Sequence, residues 1–343
     1  MKAESRNKPL EIFWNILASL CLIYAGTLSP VMSIFLFLSC FPILLVMMKY
    51  GYNLGFICFV LIGLALILNS KVPVNVLKVP FDFTYILLFI SLGIGTGILI
   101  KQGMPATRII MLGSGLFVGT VLLWVVFSGI IFKVNTVNVL LNGIDSVQQQ
   151  VMQEYRNNPP SVLGSKITLD QNQLIQMEEQ LKAMVKSVKN GLPALLAVFS
   201  IIGVGFSYLV GARVFSYYGI RLMQLPKFML WRPAEDMVWG LILGAILYIV
   251  GSYGDRYSAI HAAGLNICIF FLFIYFIAGL SIINYFFFKH KIPFMIRAIG
   301  YLMFVLQYPA ALILGIVDAW FDFRSKIDSW EKKAREEKNT DII

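Results

Sequence analysis

Charged residues vanish from this chain in long blocks. Residues 12–48, 50–70, 83–100, 109–132, 190–212, 237–254, 257–288 and 298–317 contain no Asp, Glu, Lys or Arg. A helix needs about 20 mostly apolar residues to cross the hydrocarbon core of a bilayer. The pattern therefore predicts an all-α, polytopic transmembrane helical bundle. Nine spans account for the blocks, at 10–26, 30–48, 54–69, 82–100, 108–132, 190–212, 235–252, 263–287 and 297–317. Block 12–48 must hold two of them, because one helix of that length would run to about 55 Å, nearly twice the core thickness. The span at 54–69 is short, and Val72-Pro73-Val74 and Val79-Pro80 follow it in a stretch that proline keeps out of regular helix. Read as re-entrant, that span lowers the count to eight.

Segment 133–189 breaks the apolar rhythm. Its first half places Val137, Leu141, Ile144, Val147 and Val151 three to four residues apart. Its second half places Ile167, Leu174, Met177, Leu181, Met184 and Val188 on a 3.5-residue repeat. Asn157-Asn158-Pro159-Pro160 separates the halves, and Thr168 with Gln171 forms a capping box at the second helix. An amphipathic helical hairpin with self-contained apolar faces is expected, its second helix running into the span near Pro193. A lid and a docking surface are the other roles open to it. The tail carries opposite charges at i, i+4 (Arg324/Asp328, Asp328/Lys332, Glu331/Arg335, Lys332/Glu336), which suits a solvated helix. The expected organisation is N-terminal spans over 1–132, the hairpin over 133–189, C-terminal spans over 190–320 and a charged tail over 321–343.

Composition sharpens this picture. Of 343 residues 58% are hydrophobic and 13% charged, against about 25% charged in a soluble domain. Soluble enzyme, nucleic-acid binder and disordered scaffold are excluded as readings of the whole chain. The net charge of +10 comes from Lys and Arg in short loops, as the positive-inside bias requires, so no nucleic-acid partner is implied. Loops 101–108, 213–232 and 289–297 are expected on one side, the cytoplasmic one. Nine crossings then place the tail outside; eight place both termini inside but put these intervening loops on the opposite side. Cys21, Cys40, Cys58 and Cys268 all fall in apolar blocks and read as small hydrophobes, without disulfide or zinc spacing. Lys2, Arg6 and Lys8 precede an apolar stretch, but no cleavage-site pattern follows, so a retained first helix is expected.

No catalytic set emerges, and the chain is expected not to be an enzyme and to need no cofactor or metal. It lacks a G-x-x-x-x-G-K-[ST] phosphate loop. His261 and His290 have no nucleophile or second histidine at useful spacing. The spans carry neutral polar groups such as Asn266 and Gln307, while carboxylates gather at their ends; carboxylate-driven transport is disfavoured on that ground. The densest polar cluster is Trp231-Arg232-Pro233-Ala234-Glu235-Asp236. Pro233 suits a first helical position and the two acids suit the turn after it. Arg232 with Glu235 is alternatively a functional pair facing a cavity. At the end of the last span, Asp318 opposes the helix dipole and needs a compensating cation, from Arg232, Arg297 or Arg324. The candidate polar cluster or binding residues are thus Trp231, Arg232, Glu235, Asp236, Asn266, Gln307, Asp318, Asp322 and Arg324. Gly93/Gly97, Gly115/Gly119 and Gly240/Gly244 each make a G-x-x-x-G close-packing motif.

Leu225-Pro226-Lys227-Phe228, Trp231 to Trp239, Ile274 to Ser281 and Leu314-Gly315-Ile316-Val317-Asp318-Ala319-Trp320-Phe321-Asp322-Phe323-Arg324, with Ser29-Pro30, Pro42 and Gly51 earlier, carry a resemblance. On these stretches the chain resembles the YybS-like family of uncharacterised bacterial multi-pass membrane proteins, which implies the cytoplasmic membrane but no activity. The first six spans, with Pro30, Pro42 and the Gly51–Gly55 turn, resemble the substrate-binding membrane subunits of energy-coupling-factor vitamin transporters. That likeness implies an unknown small molecule as ligand and an ATPase in membrane partner chains. The first helix departs from those subunits: Ala18 is followed four residues on by Leu22 rather than a second alanine. The leading expectation is a small-molecule-binding, transporter-like subunit in contact with the lipid bilayer. The alternative is a non-transporting scaffold or interaction protein that uses the hairpin and tail.

Overall fold

The computed structural model describes residues 8–27, 34–68, 93, 95–131, 133, 135–157, 161–162, 165–166, 171–254, 257–324 and 326. The stretch around Pro73 and Pro80, most of the expected span 82–100, Thr168 of the capping box and the tail beyond Lys326 lie outside the described residues. Helices dominate, as the apolar blocks require. They are α1 (Lys8–Thr27), α2 (Ile34–Leu38), α3 (Phe41–Tyr50), α4 (Tyr52–Leu68), α5 (Thr96–Lys101), α6 (Ala106–Ile131) and α7 (Thr136–Asn157). After a two-residue antiparallel ladder, Ser161–Val162 with Ser165–Lys166, come α8 (Gln171–Tyr217), α9 (Met237–Gly251), α10 (Ser258–Lys289), α11 (Phe294–Leu306) and α12 (Tyr308–Phe321). The ladder sits in the hairpin turn and is the one departure from an all-helical chain among the described residues.

Among the described residues the span count is lower than the eight or nine expected. Four described helices are long and apolar enough to cross a bilayer, at Lys8–Ala25, Ala106–Ile130, Ile175–Tyr217 and Ser258–Lys289. The pair α11 and α12 makes a fifth only if its 93° bend is counted within one span. Hydropathy could not see these breaks. Block 30–48 is interrupted by a turn at Ser39-Cys40 ahead of Pro42. Block 297–317 is broken at Gln307, with Pro309 in the first turn of α12. Helix α9 has 15 residues, about 22 Å at 1.5 Å per residue, short of a 30 Å core. The expected continuity of hairpin and span holds: α8 is one 47-residue helix with Pro193 inside it.

The chain divides into two compact units, Met1–Lys189 with Phe199–Gln224 and Asn190–Val198 with Leu225–Ile343. In the first, Leu44, Leu45 and Phe215 form a buried core flanked by Phe41, Ile220 and Leu222. Phe37 packs its ring against Phe117 and Phe199, at 5.1 and 5.2 Å between centroids. At the surface of this unit Lys49 pairs with Glu11 at 2.7 Å. Helix α7 starts at a cap, the Asn138 N–H donating to Asn135 Oδ1 at 3.1 Å. A hydroxyl contact between Ser128 and Thr136 ties that start to the end of α6. The hairpin packs on itself only in part. Asp145 pairs with Lys189 at 2.6 Å and Met152 is buried, but Val137, Leu140, Val147, Ile175 and Met184 stay exposed.

In the second unit, α9 and α12 both lie along α10. A Cβ on Gly279 would stand 1.7 Å from the Ala311 carbonyl oxygen, and one on Gly315 would stand 1.9 Å from that of Tyr275. Only hydrogen fits there, so these two glycines set the α10–α12 distance. Of the three G-x-x-x-G motifs, Gly240 and Gly244 do face a neighbour, Phe271 and Ile267 of α10. Gly97 is tight against Leu44 while Gly93 is loose, and Gly115 and Gly119 meet nothing within 4 Å. Gly315→Ala should therefore lower the melting temperature in detergent, by roughly 1–3 kcal/mol of overpacking or more. Gly115→Ala should hold or raise it, since Ala gains up to about 1 kcal/mol over Gly in a helix. Equal melting of the two variants would refute the close approach of α10 and α12.

Candidate functional site

The last turn of α12 carries Asp318, buried at 3% exposure in spite of its charge. Burying a carboxylate is costly unless it is paired and hydrogen-bonded. The chain supplies the pair by turning back on itself. Asp322 adopts a left-handed conformation (φ 43°, ψ 59°) and its N–H donates to the Asp318 carbonyl at 3.0 Å. Asp tolerates that region better than most residues, and the turn closes the helix as a C-cap does. Arg324 is thereby delivered over the helix end, 4% exposed. Its Nε and Nη2 donate to Asp318 Oδ2 at 3.1 and 2.9 Å.

The remaining guanidinium donors reach the 225–236 loop. Nη2 also donates to the Trp231 carbonyl at 3.0 Å, and Nη1 to the Met229 carbonyl and to Ser281 Oγ, the latter at 3.2 Å. Ser281, fully buried on α10, donates to the Phe228 carbonyl at 2.6 Å, with the Trp231 carbonyl at 3.0 Å. Arg232 makes an outer layer: it bonds Asp322 through Nη2, and its Nε lies 3.9 Å from Asp318 Oδ2. The hydrogen bond to Asp322, with both carboxylates nearby, raises its pKa above the usual arginine value, so it stays cationic. Two acids and two arginines balance. Asp318 Oδ1 is the one side-chain atom of this set that is buried with no partner among the described residues.

Among the expected site residues, the structure gathers Trp231, Arg232, Asp318, Asp322 and Arg324. Trp231 Nε1 donates to the Pro226 carbonyl at 2.9 Å, folding the loop on itself. Arg297, an expected partner for Asp318, instead lies over the Phe288 ring at 4.6 Å. Glu235 and Asp236 are exposed in the turn before α9, which starts at Met237 rather than at Pro233. Their carbonyls accept from Val238 and Trp239, and the acids that pair with Arg232 and Arg324 are Asp318 and Asp322. Gln307 is exposed at the α11–α12 bend.

Asn266 stands elsewhere and does something definite. Pro193 lacks an N–H and its ring pushes against the turn before it. The Asn266 amide enters there: Oδ1 accepts from the Ala194 N–H at 2.8 Å and Nδ2 donates to the Asn190 carbonyl at 2.7 Å. Those two backbone groups would pair with each other in an uninterrupted helix. Asn266 is a splint across the proline, and its polar atoms are used. Ser281 was not foreseen, although it is a hydroxyl inside a charge-free block and stands in one of the quoted stretches.

The family model described as "Predicted membrane protein (DUF2232)" matches residues 16–319. The chain belongs to that family. No curated protein and no solved structure matches it. Membership establishes a membrane protein and leaves its activity open. The match covers the 225–236 loop, α10 and Asp318 and stops ahead of Asp322 and Arg324, so the two residues that close the cluster follow the family segment.

The cluster's chemistry is that of a latch. A charge with all donors committed to its own backbone and carboxylate has none left for a ligand. Arg324→Ala should cost roughly 3–5 kcal/mol, because Asp318 is left buried and uncompensated. Arg232→Ala, at 38% side-chain exposure, should cost less than about 1 kcal/mol. Melting in detergent measures both, and equal losses would mean that Asp318 is solvated. Arg324→Lys should not rescue, since one ammonium cannot span these acceptors.

Proposed function

We propose that this chain is a non-transporting scaffold or interaction protein of the bacterial cytoplasmic membrane, which docks other chains through the 133–189 hairpin. The observation that carries the reading is the outer face of α7. Val137, Leu140 and Val147 are 43%, 54% and 57% exposed on a helix otherwise rich in Asn, Gln and Ser. Exposed apolar side chains scattered over a membrane-facing helix need no explanation, since lipid covers them. On a polar helix, a row of them marks a contact surface.

The carrier reading, drawn from the likeness to energy-coupling-factor subunits, calls for a ligand cavity of about 300–1,000 Å³. Among the described residues of the first unit, the crevice between Phe37, Phe41, Thr96, Ile109, Val204 and Tyr208 has about 30 Å³, room for no more than a few waters, and the larger hollow of about 420 Å³ beside Met47, Tyr52, Asn53, Phe56 and Ile57 is an open surface groove rather than an enclosed cavity. The arginine cluster, the strongest polar feature of the second unit, is occupied by its own chain. Both observations favour docking over carriage, and the YybS-like label is compatible with either.

The test is deletion of 136–187, with the ends joined by a short Gly/Ser linker. The shortened protein should insert and remain monodisperse in detergent, while losing the chains that co-purify with the intact one. Retention of the same chains would refute hairpin docking. A small molecule from cell extract that raises the melting point of both forms would restore the carrier reading.

A further inference from the structure

The row on α7 has a register. Val137, Leu140, Ile144, Val147 and Val151 follow one another at intervals of three, four, three and four residues, the a/d spacing of a coiled coil. The a positions are Val137, Ile144 and Val151, all β-branched; the d positions are Leu140 and Val147. β-branched residues at a with Leu at d favour two strands in parallel coils; the first heptad, Val137 with Leu140, fits that pattern and Val147 at the second d departs from it. The seam is incompletely covered by the hairpin itself. Ile144 and Val151 are half-buried, whereas Val137, Leu140 and Val147 stand open.

We infer that the occupant of this seam is the α7 helix of a second copy of the chain, in a parallel homotypic coiled coil. This rests on the docking reading above and names its partner. Two features of α7 select an identical helix. First, the flanking e and g positions are Leu141, Gln148, Gly143 and Gln150. None is charged over these two heptads, so there a helix meets its own copy without like-charge repulsion and without a pattern demanding a complementary sequence; Glu154, at the next d position, ends the seam. Second, α7 follows the membrane-spanning α6 after a short link, and its start is fixed to α6 through Ser128 and Thr136. Copies in one membrane share an orientation, so two α7 helices that meet about an axis normal to the bilayer run parallel.

The experiment is site-directed disulfide formation in native membranes, with the full-length chain freed of its four cysteines. Leu140→Cys and Val147→Cys should each give a homodimer under mild oxidation, several-fold above Asn142→Cys and Ser146→Cys on outward faces of the same helix. Adding Val147→Glu, at an exposed seam position, to Leu140→Cys should abolish the homodimer while the melting point of the protein stays unchanged. Equal yields at seam and outward positions would overturn the homotypic coil. A photoreactive residue at 140 that captures a different chain and no homodimer would also overturn it, while the docking reading survived. Capture of lipid alone at 140 would overturn both.

Discussion

A guanidinium inside an apolar unit has five N–H groups and no means of shedding its charge. Each donor needs an oxygen, and the Arg324 environment is organised by that demand. Asp318 supplies the counter-charge; Met229, Trp231 and Ser281 supply the rest. The dependence runs backwards through the unit. Asp318 and Ser281 belong to different helices, α12 and α10, and the close approach of those helices exists because Gly279 and Gly315 lack side chains. Loop 225–236 contains no regular element beyond a single 3-10 turn, so its shape is held largely by carbonyls drawn to the guanidinium and to Ser281. Glycine packing, a left-handed Asp322 and a buried arginine thus form one construction.

The same logic applies at Pro193. A proline inside a long helix removes one hydrogen bond and strains the next. In water the freed groups would be solvated, but in an apolar setting they need a protein partner. Asn266 is well suited, because a carboxamide offers an acceptor and a donor side by side. Its position in a charge-free span first suggested a ligand contact. Its bonds to Asn190 and Ala194 give the same polarity a structural purpose. Neutral polar groups in spans are ambiguous in this way until their partners are known.

Much of the architecture was legible from the sequence, and the reasons for the misses are specific. Missing charge marks an apolar environment, and helices do occupy those blocks among the described residues. It does not mark where a helix bends, so the breaks at Ser39-Cys40 and Gln307 passed unseen, and among the described residues two expected straight spans are interrupted. The helix-dipole argument correctly demanded a cation for Asp318 but could not choose among Arg232, Arg297 and Arg324. The choice depends on Asp322 taking a positive φ that folds Arg324 backwards, a conformation sequence spacing does not encode. Gly240/Gly244 was found by motif, whereas Gly279 and Gly315 were not, because each meets a backbone carbonyl across a helix pair rather than repeating along one helix.

The hairpin shows how much a periodicity leaves open. The first half was read through Leu141, which faces inward, so its apolar positions looked self-contained. Leu140, one residue away, shares the other four positions of that repeat, and exposure separates the two leucines: Leu141 is half-covered, Leu140 open. The apolar stripe of α7 is thus covered along one edge and open along the other, at Val137, Leu140 and Val147. A seam of little more than two heptads is marginal for helices free in solution. Membrane anchoring changes that balance, since it fixes orientation and raises the effective concentration of one copy near another. A weak, uncharged seam therefore suits a membrane-bound chain: it can hold two copies together where they are confined and release them where they are not.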